Sequence, residues 1–252
     1  MDREANIKAS ELIERGDKIY NIIVGNNGVL PFELKITKED LIKEDGVATD
    51  PAWKWLSGVL IYYYAKNPMN GGEVSEKWVG AKADKNKNVK YGDTILGTFK
   101  SGDKTYFLMI AKPQVPIEMW SIELPSGAIK SGETPIDAAK RETIEETGAI
   151  ISDAEILVKN LAHMPHLGMT LDYLVHVNVT GFTVQTTDEK EEKPIMPFLA
   201  TPEQIMWYMT NDSPMVYTAT RLGFLHFFVF TEEGNKIMQQ LDRHYLEGLL
   251  RK

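Results

Sequence analysis

Three glutamates, Glu142, Glu145 and Glu146, stand at i, i+3 and i+4 in a stretch that reads as helix from Thr134 to Thr147. That spacing puts three carboxylates on one helical face. The arrangement is costly without a partner. Like charges one turn apart repel by a few tenths of a kcal/mol per exposed pair, as an approximate figure. Glu145 and Glu146 also lie in the last turn, where the helix dipole disfavours anions by roughly 0.3–1 kcal/mol. A solvated charge run would more naturally end in Lys or Arg. Clustered carboxylates suit a hard divalent cation with oxygen ligands, such as Mg²⁺ or Mn²⁺.

The helix that must carry them has clear ends. Thr134 is a plausible N-cap with Pro135 at the first helical position, and Gly148 is placed to stop the helix in a left-handed conformation. Ile136, Ala139 and Thr143 can face a sheet, with Ile144 less clearly placed. Just before it, Gly127-Ala-Ile-Lys-Ser-Gly132 has the glycine spacing of a phosphate-cradling loop. Glu133 and Thr134 follow where that loop needs Lys and then Ser or Thr, so the motif fails. No dinucleotide glycine motif, nucleophile elbow or H-E-x-x-H is present. Asn178-Val-Thr180 matches a glycosylation sequon but reads as an accident of strand composition.

Residues 127–149, GAIKSGETPIDAAKRETIEETGA, resemble the signature of the Nudix hydrolases. The signature's fixed positions are met by Gly127, Glu133, Arg141, Glu142, Glu145, Glu146 and Gly148. A chance match is on the order of one in 10⁸ to 10⁹ per start position. Thr143 and Ala149 stand where bulky aliphatics are usual, which removes no ligand. The resemblance implies an α/β/α sandwich around a mixed sheet, with an extra N-terminal region and C-terminal helices. It implies hydrolysis of a nucleoside diphosphate linked to another group, with two or three Mg²⁺ or Mn²⁺ ions. By carry-over, Glu142, Glu145 and Glu146 hold the metals, joined by the Ser126 carbonyl. Glu133 and Arg141 brace the loop and helix through an ion pair, and Gly127 and Gly148 serve backbone shape.

The run Trp120-Ser-Ile-Glu-Leu-Pro-Ser-Gly127 is similar to that of the ADP-ribose and nucleotide-sugar pyrophosphatase subgroup, and Pro165 follows Ala149 at a spacing that marks it. The resemblance covers roughly residues 93–230. It implies AMP and a sugar phosphate as products, and a substrate pocket that includes Lys112, Gln114, Glu123, Pro165 and His166. Asp172 stands where the subgroup has a water-activating or metal-binding glutamate, and is one carbon shorter. Glu191 and Glu192 are alternatives to it. His163 and His166 flank Pro165, within reach of phosphate or a proton. Gln114 replaces a common arginine. Two further readings stay open. One is hydrolysis of a nucleoside triphosphate, an NAD-type dinucleotide or a capped RNA. The other, from another class, is a non-catalytic nucleotide sensor.

The flanking elements are ordinary. Residues 4–15 read as helix, Tyr20–Val24 and Val59–Tyr64 as strands, and Thr37–Ile42 as a short capped helix. Residues 81–93 read as a polar, lysine-rich loop. Thr94–Phe99, Thr105–Ala111, Trp120–Leu124, Glu155–Val158, Leu171–Val179 and Ile195–Leu199 read as strands, with a turn at Ser101-Gly-Asp. Thr201-Pro-Glu-Gln opens a capped helix, and Val216–Phe230 and Asn235–Leu250 read as two more. The division is residues 1–90, with a possible dimerisation or pocket role, and 91–252, the catalytic domain. Aromatic residues Trp53, Trp55 and Tyr62–Tyr64 suit packing or adenine stacking.

Of 252 residues, 28 are Lys or Arg and 36 are Asp or Glu, a net charge of −8. An acidic chain is a poor wrapper of nucleic acid, so no DNA partner is expected. With no cysteine, disulfides and thiolate chemistry are excluded. No apolar run approaches the roughly 20 residues of a membrane helix. The expectation is a cytoplasmic homodimer.

Overall fold

The computed structural model describes residues 8–31, 34–41, 59–66, 73–79, 90–114, 118–162, 170–185 and 195–241. Helix α1 (Ala9–Gly25) opens the chain. Its Leu12, Ile19 and Ile23 are fully buried, and their helical spacing explains why Tyr20–Val24 is helical and not the strand its β-branched residues suggest. At Gly16 an added Cβ would stand 1.9 Å from the Leu199 carbonyl oxygen, so the helix rests directly on a strand.

Strands β1 (Leu34–Leu41), β2 (Val59–Lys66) and β3 (Glu73–Val79) form a three-stranded antiparallel sheet in the order β1-β2-β3. Thr37–Leu41, expected as helix, is strand because it pairs with Val59–Tyr62 of β2, and pairing overrides local propensity. Trp53 and Trp55 lie outside the described residues.

The main sheet has seven strands: β4 (Lys90–Ser101), β5 (Lys104–Gln114), β6 (Met119–Glu123), β7 (Ser126–Ala128), β8 (Ala149–Ala162), β9 (Thr170–Phe182) and β10 (Met196–Ala200). The order is β10-β5-β4-β9-β8, with β6 on β5 and β7 on β4. Among the described residues only β4 and β9 run parallel, so the sheet is mixed. Lys90–Asp93, expected in a loop, begins β4. The turn at Gly102 has φ +59°, in keeping with a tight hairpin.

Helix α2 (Pro135–Thr147) covers one face, packing Ala139 against Ile95, Leu108, Val175 and Val177. Helices α3 (Pro202–Thr210), α4 (Thr218–Phe230) and α5 (Glu232–Gln240) cover the other, where Phe224 and Phe227 pack edge-on to Phe107. The result is an α/β/α sandwich. Thr201 caps α3 in a capping box with Gln204, as its sequence predicts. The last helix is shorter than its apolar stripe suggests. It ends at Gln240, Leu241 is extended, and residues 242–252 lie outside the described set.

Candidate metal centre

Helix α2 delivers the signature glutamates, and local chemistry fixes both of its ends. Thr134 Oγ1 accepts from the Asp137 amide at 3.2 Å and the Asp137 carboxylate accepts in return. Gly148 ends the helix at φ +69° with its amide on the Ile144 carbonyl. Ala138, Ala139, Thr143 and Thr147 form the buried face. Thr143 takes an aliphatic's place without leaving a buried hydroxyl bare, because its Oγ1 donates to the Ala139 carbonyl at 2.6 Å.

Arg141 organises the loop ahead of the helix. Its Nε donates to Glu133 Oε1 at 2.7 Å and Nη2 to Glu133 Oε2 at 3.0 Å. Nη2 also reaches the Ala128 carbonyl at 2.9 Å. Nη1 donates to Glu142 Oε1 at 2.6 Å and Glu145 Oε2 at 3.0 Å. The two-pronged hydrogen bond holds Glu133 down at about 2 and raises the guanidinium further above its already high value. Among the described residues no three carboxylates or imidazoles converge on a single point. Arg141 bonds Glu142 and Glu145, while Glu146 bonds the Ser126 amide.

Glu146 lies on the inner side of this face. Burial pushes its carboxyl up to about 7, against the opposing pull of Lys112 and of the Ser126 amide, which donates to Oε2 at 3.0 Å. Glu142 is also raised, by burial more than Arg141 can offset. It sits directly over Gly127, where an added Cβ would be 2.0 Å from Glu142 Cδ. Only a glycine leaves room for that carboxylate.

Strands β5 and β6 supply a cation from beneath. Lys112 Nζ is 2.9 Å from Glu123 Oε2. Burial alone would lower the Lys112 ammonium, but Glu123 and Glu146 outweigh it and hold it above its usual value. Gln114 and Ser121 both donate to Glu123 Oε1. Lys112, Gln114 and Glu123, expected to meet substrate, are thus tied to one another, with Lys112 charged beside Glu146.

Asp172 is buried on β9 in register with Gly92, whose added Cβ would be 2.5 Å from Asp172 Oδ1. Tyr217, just before α4, is raised chiefly by burial and then by the nearby charges of Asp172 and Glu123. Sequence reading missed Tyr217, and nothing in its local sequence marks it. It also missed Asp93, which is 1% exposed and pushed up to about 8, by burial first and then by Glu142 and Asp172. An aspartate just ahead of the apolar Thr94–Phe99 run was its only signal. The structure thus brings Ser126, Gly127, Glu142, Glu146, Lys112, Glu123, Asp172, Tyr217 and Asp93 to one end of the sheet. Glu145 and Glu133 are reached through Arg141. Pro165, His163, His166, Glu191 and Glu192 lie outside the described residues.

A loop–helix–loop carrying these carboxylates beneath an α/β/α sandwich defines a class, and the sequence comparisons identify it. Residues 93–217 match the NUDIX domain model, so this stretch is a Nudix domain. Among curated relatives it is similar to a protein of Caenorhabditis elegans named putative nudix hydrolase 2, with 30% identity over 142 residues. The match covers 53% of this chain and 62% of the relative, so the chain spans less than two thirds of that protein's length. Among solved structures it is similar to one described as an ADP compounds hydrolase, at 16% identity and a TM-score of 0.45, covering 87% of this chain and 97% of that one.

Proposed function

We propose that this chain is a metal-dependent Nudix pyrophosphohydrolase that cleaves the pyrophosphate of ADP-ribose or a related nucleotide sugar, giving AMP and a sugar phosphate. The observation that carries the metal reading is that Glu146 and Glu142 are part-buried carboxylates that pay a desolvation cost. Both are held above the usual carboxylate range by burial, and the candidate ligands, Glu142, Glu146 and the Ser126 carbonyl, all present oxygen. Such a site favours Mg²⁺ or Mn²⁺, two or three ions. Glu142, Glu146 and the Ser126 carbonyl would hold them, with Glu145 released from Arg141 as a further ligand.

Bound divalent ions supply charge neutralisation of the pyrophosphate and a more acidic water. The chain's own residues do the positioning. Arg141 fixes the loop to the helix. Lys112, itself fixed by Glu123, favours the ionised form of Glu146 by its charge. Asp172 is the candidate for water activation, on its place near the start of β9 beside Gly92. The substrate reading is supported by the Trp120–Gly127 run and by Pro165. Among the described residues no helix is long and apolar enough to cross a membrane. A cytoplasmic homodimer completes the proposal, checked by sedimentation and cell fractionation.

The test is AMP release from a panel of nucleotide sugars, dinucleotides and triphosphates, with Mg²⁺, Mn²⁺ or chelator. Metal-dependent AMP and ribose 5-phosphate from ADP-ribose is the expected result. Tight binding of one member with no turnover of any would overturn it in favour of a sensor.

A further inference from the structure

Asp93 is a carboxylate that the signature does not contain. It stands on β4 opposite Gly127 of β7. Residues directly opposite in an antiparallel pair project to the same side. The Cβ direction at Gly127 leads into Glu142, so Asp93 and Glu142 share that side, under helix α2. The Gly127 amide donates to Asp93 Oδ1 at 3.0 Å. This fixes the carboxylate through one oxygen. Oδ2 is buried and has no hydrogen-bond partner among the described residues. Glu142 and Asp172 are both close enough to disfavour its charge.

We propose that Asp93 is a cation-ligating residue of this site, presenting Oδ2 to a divalent ion alongside Glu142. The alternative is that Asp93 only fastens the Gly127 amide. One oxygen suffices for that, and an asparagine would do it without placing an acid beside Glu142 and Asp172. Burying a second, unpartnered carboxylate oxygen costs free energy that a plain anchor never recovers, whereas an oxygen-seeking cation supplies the missing partner. Asp93 thereby gives the site a ligand from the sheet as well as those from the helix and loop.

The inference rests on the reading that the site binds divalent ions, and the experiment separates the two. Mn²⁺ alone is titrated into the metal-free full-length protein by calorimetry, for wild type and Asp93→Asn. Asparagine keeps the acceptor for Gly127 and removes the charge. The expected result is a Kd for the tighter Mn²⁺ site weakened about five-fold or more, with a metal-free Tm equal to or above wild type. Weakening of less than about five-fold overturns the proposal and leaves the metal site standing. No Mn²⁺ binding by wild type overturns both. Should Asp93→Asn not fold, Asp93→Ser carries the same comparison.

Discussion

The main-chain amide of Ser126 lies 3.0 Å from Glu146 Oε2, so the carboxylate is tied to the loop whose carbonyl it is proposed to join on a metal ion. Replacing Glu146 by Gln keeps an acceptor for that amide and removes a charge that burial opposes. Glu146→Gln should therefore leave the metal-free Tm unchanged or raise it, while AMP release falls by more than about 100-fold, as for loss of a metal-site group. Calorimetry and product assay on one preparation check both. Surviving turnover would remove Glu146 from the metal set.

The raised carboxyls set a pH dependence. Asp93 at about 8 and Glu146 at about 7 hold protons more tightly folded than unfolded. Their contribution to stability is complete below the unfolded values near 4 and is lost as pH rises through 7 to 8. The metal-free Tm should thus fall between pH 5.5 and 8.5. Glu133, held at about 2, acts only on the acid side and does not enter this window. Mn²⁺ should reverse the trend, since its ligands bind deprotonated and protons are released on uptake. Thermal scans with and without Mn²⁺, and calorimetry in two buffers of different ionisation enthalpy, read both effects. A flat metal-free Tm would contradict the burial of these groups.

The α2 helix and its two ends were legible because capping is local: Thr134, Pro135 and Gly148 carry their roles within a few residues. Strands followed by covering helices pointed to an α/β sandwich, and the family resemblance implied its α/β/α layering. What escaped was set by tertiary contact. Tyr20–Val24 has strand-like residues, yet Ile19 and Ile23 complete a helical face begun at Leu12. Thr37–Leu41 has helix-like residues, yet β2 claims it as strand. At the site, nothing in the sequence pairs Lys112 with Glu123, and only the folded β5–β6 pair brings Nζ to 2.9 Å from Oε2. Asp93 and Tyr217 reach the carboxylates from a strand start and a helix start far away in sequence, which no spacing rule encodes.

Arg141 provides a third prediction. Its guanidinium bonds Glu133, Ala128, Glu142 and Glu145 at once, and a lysine ammonium cannot reproduce that planar fork. Arg141→Lys keeps the charge but should destabilise the metal-free protein by about 1–3 kcal/mol, the usual cost of lost charged hydrogen bonds. Mn²⁺ affinity should fall as well, because Glu142 loses the bond that orients it over the loop. Denaturant unfolding and Mn²⁺ titration measure the two. Unchanged affinity would mean the ion does not depend on the fork.

The two glycines that bracket the signature should fail in different ways. At Gly148 the backbone is left-handed and an added Cβ would be 2.0 Å from the Thr183 carbonyl oxygen, a main-chain atom directly after β9. Gly148→Ala should therefore cost stability, by about 1–3 kcal/mol from strain and overpacking. At Gly127 the added Cβ meets Glu142, whose side chain can swing aside. Gly127→Ala should fold with a smaller loss of stability and yet lose most Mn²⁺ binding and turnover, since the displaced group is a proposed ligand. Denaturant curves and Mn²⁺ calorimetry on the pair distinguish the roles. Equal stability losses with intact Mn²⁺ binding in Gly127→Ala would show that Glu142 does not need its place over the loop.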